Sequence, residues 1–152
     1  MKLKEKVAIV TGGSRGIGFA TVKKFLEEGA TVVLTASRKE TAEKAVTQAK
    51  ESCPDAKVEG IWPDLSSLES VKESFAKIHE KYGRIDILVN NAGMSDSAPF
   101  TNYTEDLFEK VMDLNVKGVF HASRAVVDYM VEQGSGVILS TSPWSASPDR
   151  LR

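Results

Sequence analysis

The sequence predicts an α/β fold, a doubly wound parallel sheet with helices on both faces. Short β-branched segments alternate with longer segments of helical period along the 152 residues, an order typical of right-handed βαβ units. The short segments are almost continuously apolar, as expected of strands buried on both faces of a parallel sheet. A chain of this length is typical of one domain, so we expect one sheet with a sizeable core.

Five strands and four helices follow from these patterns. The predicted strands are 6–11, 31–36, 57–62, 86–91 and 136–141, and the predicted helices run from the glycine-rich loop to about residue 28, over 39–52, over 66–83, and from 104 to about 133. Gly29 and Gly83 are placed to end the first and third helices. Ser66 followed by Glu69 predicts a capping box at the start of the third helix.

Composition argues against several classes of protein. Charged residues of both signs are interspersed, and a net charge of -1 offers no electrostatic basis for binding nucleic acid or an anionic membrane. No segment approaches the roughly 20 apolar residues of a membrane span, and the apolar run near the N-terminus is too short for a signal peptide. Cys53, the single cysteine, supports neither a disulfide framework nor a metal cluster. We expect a soluble cytoplasmic protein without a metal site.

The stretch "TGGSRGIG" lies directly after the first predicted strand and opens the first helix. A glycine turn lets backbone N–H groups approach a phosphate closely, and a helix N-terminus favours negative charge, so this loop predicts a pyrophosphate site. The Gly-Lys-Ser/Thr ending of a nucleoside triphosphate loop is missing. The predicted cofactor-binding residues here are Gly12, Ser14, Arg15, Gly16, Ile17 and Gly18. The alternative is a glycine-rich turn that binds no ligand.

The end of the second strand reads "LTASRKE" and has no acid to bind a ribose 2′-hydroxyl. Ser37 and Arg38 stand there instead. The guanidinium groups of Arg38 and Arg15 suit a 2′-phosphate, because a planar fork of donors matches its oxygens. This pattern favours NADP(H), with NAD(H) still possible. The alternative is two surface arginines without a ligand.

Three further stretches, "WPDL", "NNAG" and "LNVKG", follow the glycine loop in order. Together with it they resemble the short-chain dehydrogenase/reductase family over essentially the whole chain up to Ser142. The resemblance implies a Rossmann-type sheet with strand order 3-2-1-4-5. It also implies that Asp64 and Leu65 flank the adenine and that the loop of Asn91, Ala92 and Gly93 lies alongside the cofactor. The residues themselves suit these places, since a short amide can tie one strand-end loop to the next and glycine leaves room for a ring; a structural Asx turn is the other interpretation.

Asn115 lies on an apolar stripe of the fourth helix. The stripe consists of Phe108, Val111, Met112, Val119, Ala122 and Val126. A buried amide without a partner costs roughly 1–3 kcal/mol, so Asn115 requires an explanation. The resemblance implies a catalytic role, in which the helix bends locally at Asn115 and holds a water that relays protons to a catalytic lysine. A hydrogen-bonded structural amide is the alternative.

The last ten residues depart from the family pattern. The resemblance implies that the fifth strand delivers a catalytic serine, followed by a Tyr-x-x-x-Lys pair, yet the serine position is Pro143 and neither tyrosine nor lysine follows it. We therefore expect a dinucleotide-binding domain over 1–142, truncated after strand five, and an aberrant tail over 143–152. A slip of the reading frame would explain the tail, because regrouped codons can restore the family's usual continuation. Genuine C-terminal divergence in a non-catalytic protein is the rival explanation.

The function implied by the resemblance is NADP(H)-dependent interconversion of an alcohol and a ketone by hydride transfer. The nearest-looking activity is that of the 3-oxoacyl carrier protein reductases, followed by hydroxysteroid and sugar-alcohol dehydrogenases. The implied partners are a small carbonyl or alcohol substrate and further copies of the chain in a homo-oligomer. We expect the truncated form to be inactive. The alternative function is a non-catalytic dinucleotide-binding or partner-binding protein.

Overall fold

The computed structural model of the protein describes residues 1–95 and 98–141. The domain end expected at 142 and the tail expected over 143–152 lie outside the described residues. Five parallel strands form one sheet in the order β3-β2-β1-β4-β5, which confirms the predicted fold and strand order. The strands are β1 (Val7–Val10), β2 (Thr31–Thr35), β3 (Val58–Ile61), β4 (Ile87–Asn90) and β5 (Val137–Ser140).

Helices connect successive strands. They are α1 (Gly16–Glu27), α2 (Lys39–Ser52), α3 (Leu68–Tyr82), α4 (Glu105–Met112) and α5 (Gly118–Gln133), with a short 3₁₀ turn at Phe100–Asn102. The segment predicted as one helix from residue 104 is interrupted by a π-helical turn at Asp113–Lys117, which joins α4 to α5. Gly29 and Gly83 follow α1 and α3 with φ of 86° and 73°, a backbone conformation that favours glycine.

The predicted capping box at the start of α3 is wrong by one residue. Ser67, not Ser66, caps the helix, and its Oγ accepts a hydrogen bond from the N–H of Ser70 at 3.2 Å. The reason is local competition, because the carboxylate of Asp64 accepts hydrogen bonds from both the N–H and the hydroxyl of Ser66 at 2.9 and 2.6 Å. The next serine along the chain is therefore the one that satisfies the helix N-terminus.

The sheet is buried by helices on both faces. Successive residues of β1 point to opposite faces, so that Ile9 packs with α3 and α5, and Val10 packs with α1 and α2. The α2 helix lies close to the sheet because its buried residues are alanines, and a Cβ added at Gly60 of β3 would come within 2.9 Å of Ala42. These two cores place the carboxyl ends of all five strands at one edge of the sheet.

Two segments are less buried than their apolar sequences predict. The residues of β5 are exposed, and Ile138 is the least exposed of its apolar residues at 39%, because among the described elements β5 packs substantially only against β4 and its faces are left uncovered. The described part of α4 has no buried residue either, and Phe108 of the predicted stripe is half exposed. No helix within 1–95 and 98–141 is both long and apolar enough to cross a membrane.

Glu5 precedes β1 with a φ of 65°, in the left-handed region that a side chain disfavours. We expect Glu5→Gly to raise the free energy of unfolding by about 0.5–1 kcal/mol, because relief of strain exceeds the added entropy of glycine in the unfolded chain. Urea unfolding measures the change. Glu5→Ala is the matched control, since it removes the carboxylate but keeps the strain. Equal effects of the two variants would show that φ is not the cause.

Candidate cofactor site

A cleft of about 1300 Å³ lies along the carboxyl edge of the sheet. The cleft includes the loop after β1, whose two neighbours in the sheet are β2 on one side and β4 on the other. The strand order reverses at this point, and ligands of open α/β sheets bind at such switch points. All the sequence-predicted site residues except Gly18 line the cleft. Gly18 is buried behind the loop.

The glycine loop is shaped by close backbone contacts. Gly12 has a φ of +62°, and a Cβ there would come within 2.8 Å of the Cα of Ala92. A Cβ on Gly18 would lie 2.2 Å from the carbonyl oxygen of Gly12. Arg15 precedes α1 with extended backbone, and no side chain caps this helix end, so the first N–H groups of α1 remain available to an anion.

Two buried threonines, which the sequence analysis did not single out, join the strand ends. Thr11 follows β1, and its hydroxyl accepts hydrogen bonds from the N–H groups of Asn91 and Ala92, each at 3.0 Å. Thr35 ends β2, and its hydroxyl accepts from the N–H of Gly12 at 3.1 Å. Both threonines are 2% exposed. A hydroxyl side chain at the end of an otherwise apolar buried strand is the sequence feature that could have identified both threonines as links between the strand ends.

The side chain of Asn91 completes this connection. Its Nδ2 donates to the carbonyl oxygens of Thr11 and Gly12 at 3.2 and 3.1 Å. The amide thus ties the loop after β4 to the loop after β1, the geometry expected of a short amide at this position. The two loops that border the middle of the cleft are held as one unit.

One end of the cleft is bordered by the loops after β2 and β3. Ser37 and Arg38 follow β2 without any carboxylate between them and the strand. Within the described part of the chain, neither Arg15 nor Arg38 forms an ion pair, so both guanidinium groups are available to a ligand. The two guanidinium groups therefore present to the cleft positive charge that no ion pair within the described residues neutralises.

Asp64 and Leu65 form the opposite wall of that end. The hydroxyl and the N–H of Ser66 donate to Asp64 and hold the pKa of its carboxyl below the usual value, so the group is ionised at neutral pH. Nδ1 of His121 lies 2.8 Å from the carbonyl oxygen of Leu65 and donates to it, because a carbonyl can only accept. The loop is thereby anchored to α5.

Asn115 lies in the π-helical turn and has both halves of its amide satisfied. Its Oδ1 accepts from the N–H of Met94 at 2.8 Å, and its Nδ2 donates to the carbonyl oxygen of Met94 at 2.7 Å. Gly93 makes room for this contact, since a Cβ there would come within 3.2 Å of Oδ1. The amide therefore fixes the end of the loop that follows β4. Single π-helical turns are frequent at functional sites.

Comparison with known proteins agrees with the fold and identifies the family. Residues 6–147 match the profile of the family described as short chain dehydrogenase. The chain belongs to the short-chain dehydrogenase/reductase family, whose members are oxidoreductases that bind NAD(P).

The relatives with specific names include a hydroxysteroid dehydrogenase and an acyl-carrier-protein reductase. The chain is 54% identical over 142 residues to a 3alpha-hydroxysteroid dehydrogenase of Mediterraneibacter gnavus. It is 39% identical over 142 residues to a 3-oxoacyl-acyl-carrier-protein reductase of Thermotoga maritima. Each alignment covers 93% of this chain and 57% of the relative, so the chain spans little more than half the length of these proteins.

Solved structures of the same family resemble the protein closely. An NAD+-bound xylitol dehydrogenase superposes with a TM-score of 0.87 at 34% identity, over 93% of this chain and 54% of that one. A metagenomic short-chain oxidoreductase in complex with NADP superposes with a TM-score of 0.84 at 30% identity, over 92% and 63%. The two neighbours hold different dinucleotides, so the likeness alone does not decide between NAD and NADP.

Proposed function

We propose that this chain is the dinucleotide-binding part, over 1–142, of a cytoplasmic oxidoreductase that interconverts an alcohol and a ketone with NADP(H). The observation that carries the proposal is the positive charge that Arg15 and Arg38 present to the cleft, unpaired within the described residues, next to a strand end without a carboxylate. A ribose 2′-phosphate is the ligand group that such a site suits. When bound, the dinucleotide supplies or accepts the hydride.

Different residues of the cleft bind different parts of this cofactor. The N–H groups at the start of α1 bind the pyrophosphate. The close backbone contacts at Gly12 and Gly18 hold the glycine loop against the loop after β4, which leaves room for the pyrophosphate to approach α1. Asp64 and Leu65 border the adenine. Asn91, Ala92 and Gly93 border the nicotinamide half, where glycine leaves room for a ring.

We propose that Asn115 acts at the nicotinamide end. The π-helical turn changes the backbone hydrogen bonds of this helix, with the N–H of Gly118 donating to the carbonyl of Asp113. The altered spacing favours a held water near Asn115, consistent with the proton relay that the family resemblance implies. The serine, tyrosine and lysine of that relay have no counterparts in 143–152, so we expect residues 1–152 alone to bind dinucleotide without turnover.

The proposed substrate of the whole protein is a small secondary alcohol or its ketone. A hydroxysteroid is the first candidate, because the named relative with 54% identity is a 3alpha-hydroxysteroid dehydrogenase, against 39% for the 3-oxoacyl reductase. The sequence motifs alone favoured a 3-oxoacyl substrate over a hydroxysteroid, and the identities of the named relatives reverse that order. We also propose that the whole protein assembles as a homo-oligomer.

The cofactor preference is tested by Arg38→Asp. We expect the unmodified chain to bind NADPH about 10–100-fold more tightly than NADH, since one charge-assisted contact contributes about 1.5–3 kcal/mol. The variant should lose that preference, because an acid repels the 2′-phosphate. Isothermal titration with both dinucleotides measures the ratio, and Arg124→Asp, which changes the same charge outside the cleft, is the control. Equal affinities in the unmodified chain would refute the NADP(H) assignment.

A further inference from the structure

An exposed tryptophan lies at the outer end of the cleft. Trp62 follows β3 directly and is 47% exposed, while the next residue, Pro63, is buried. The indole lines the cleft together with Ser37 and Arg38. A large aromatic side chain that remains half exposed beside a ligand cleft offers a flat apolar surface to whatever enters.

Strand register places Trp62 next to the loop after β2. Thr35 pairs with Ile61, and the N–H of Ala36 donates to the carbonyl oxygen of Ile61 at 3.0 Å. The segments that follow β2 and β3 therefore leave the sheet side by side, at the spacing of neighbouring strands, about 4.8 Å. The indole thus belongs to the same end of the cleft as the guanidinium group of Arg38.

Lys39 adds a second cation beside the indole, just outside the set of residues that line the cleft. Its Nζ lies 6.0 Å from the centre of the indole ring, within the range in which an ammonium is attracted to an aromatic face. Its other partner is the carboxylate of Glu43 at 3.7 Å, in a pair whose side chains are 58% and 62% exposed. Exposed ion pairs of this kind contribute little binding energy. The ammonium of Lys39 can therefore leave Glu43 and bind an anion of higher charge.

We propose that Trp62 and Lys39 form an accessory subsite for the 2′-phosphate of the cofactor, beyond the contact made by Arg38. The ammonium of Lys39 binds the phosphate dianion, and the indole of Trp62 holds the ammonium at the rim and covers one side of the ion pair. Partial exclusion of water strengthens that attraction. Trp62 is thereby a specificity residue for 2′-phosphorylated ligands. This inference rests on the proposed function, since it requires the cleft to bind the adenosine half of NADP(H).

The test uses two ligands that differ by one group, adenosine 2′,5′-bisphosphate and adenosine 5′-monophosphate, titrated into the 152-residue chain. We expect Trp62→Leu and Lys39→Gln each to weaken bisphosphate binding about three- to tenfold and to leave the monophosphate affinity unchanged. Trp62→Phe keeps an aromatic face and should retain most of the affinity. Lys44→Gln removes the same charge from an exposed position of α2 outside the cleft and is the matched control.

A double variant separates a shared subsite from two independent effects. If the indole acts by holding Lys39, then Trp62→Leu in the Lys39→Gln background should cost no further affinity for the bisphosphate. Fluorescence provides an independent readout, because in a Trp144→Phe background Trp62 is the remaining tryptophan and its emission should change saturably with the bisphosphate.

The outcomes distinguish the inference from the proposed function. If the unmodified chain prefers the bisphosphate and the Trp62 and Lys39 variants keep that preference, the subsite is wrong and the NADP(H) assignment stands. An equal loss of both ligands in Trp62→Leu would place the indole against the adenosine and also overturn the subsite. If neither nucleotide binds the unmodified chain, both proposals fail together.

Discussion

Replacing Gly18 with alanine should weaken NADPH binding about 100-fold and lower the free energy of unfolding by about 2 kcal/mol. A Cβ at this position would lie 2.2 Å from the carbonyl oxygen of Gly12 and 2.4 Å from Nδ2 of Asn91. Both atoms belong to the hydrogen bond that joins the loops after β1 and β4, so neither can move alone. Loss of about two charge-assisted hydrogen bonds to the pyrophosphate, at roughly 1.5 kcal/mol each, accounts for the affinity.

Gly83→Ala is the control for a general loss of stability. Gly83 also adopts a positive φ, of 73°, but a Cβ there would meet nothing within 4 Å, and the residue lies outside the cleft. We expect it to cost about 1 kcal/mol of stability through backbone strain while leaving the affinity unchanged. Calorimetric titration with NADPH and urea unfolding of both variants provide the comparison. NADPH affinity that survives in Gly18→Ala would contradict the proposed role of the loop.

Replacing Asp86 with alanine should cost about 3 kcal/mol of stability. Asp86 is 4% exposed at the opposite edge of the sheet from the cleft, just before β4. Its carboxylate accepts from Nε and a terminal nitrogen of Arg84 at 2.8 and 2.5 Å and from the N–H of Val7 at 2.9 Å. The variant leaves a guanidinium group unpaired and a buried N–H without its acceptor. The exposed pair of Arg124 and Asp128 is the contrast, and Asp128→Ala should change stability by less than about 0.5 kcal/mol.

The same carboxylate makes stability depend on pH. Burial alone would raise the pKa of Asp86, but the hydrogen bonds from Arg84 and Val7 and the charge of Lys6 outweigh it and hold the pKa below the usual value. A lowered pKa in the folded state stabilises the protein above the unfolded value of about 3.9, and this contribution is lost as the pH falls through the folded pKa. Urea unfolding between pH 6 and 3 should therefore show a steeper loss for the unmodified chain than for Asp86→Asn. If the stability of the two proteins fell in parallel with pH, Asp86 would not be a source of the pH dependence.

The parallel sheet and the edge on which the cleft lies could be predicted from features that recur along the sequence, and the strand order could be predicted from the family resemblance. Alternation of apolar strands and amphipathic helices specifies a parallel sheet, and the carboxyl ends of parallel strands meet at one edge, so residues placed after each strand come together without any knowledge of contacts. The position of the glycine loop follows from this argument, whereas the place of Asn91 to Gly93 beside the cofactor is implied by the family resemblance, and both stretches line the cleft.

The details that could not be predicted depend on competition between side chains and on long-range partners. Ser66 fits a capping box in sequence, but its bonds to Asp64 leave the cap to Ser67. The partner of Asn115 is the backbone of Met94, 21 residues earlier, and no periodicity connects the two. The exposure of β5 likewise depends on which elements pack against it and not on its own apolar sequence.

The middle strand of the five described strands leaves the ribosome long before one of its two neighbours. One edge of β1 pairs with β2, but the other pairs with β4, and Asp86, which binds the N–H of Val7, follows 79 residues later. At roughly 5–20 residues per second, translation of that stretch takes about 4–16 s. Throughout this interval the edge of β1 that later pairs with β4 lacks its native partner and is open to pairing with another chain, so we expect a chaperone to bind the nascent chain there.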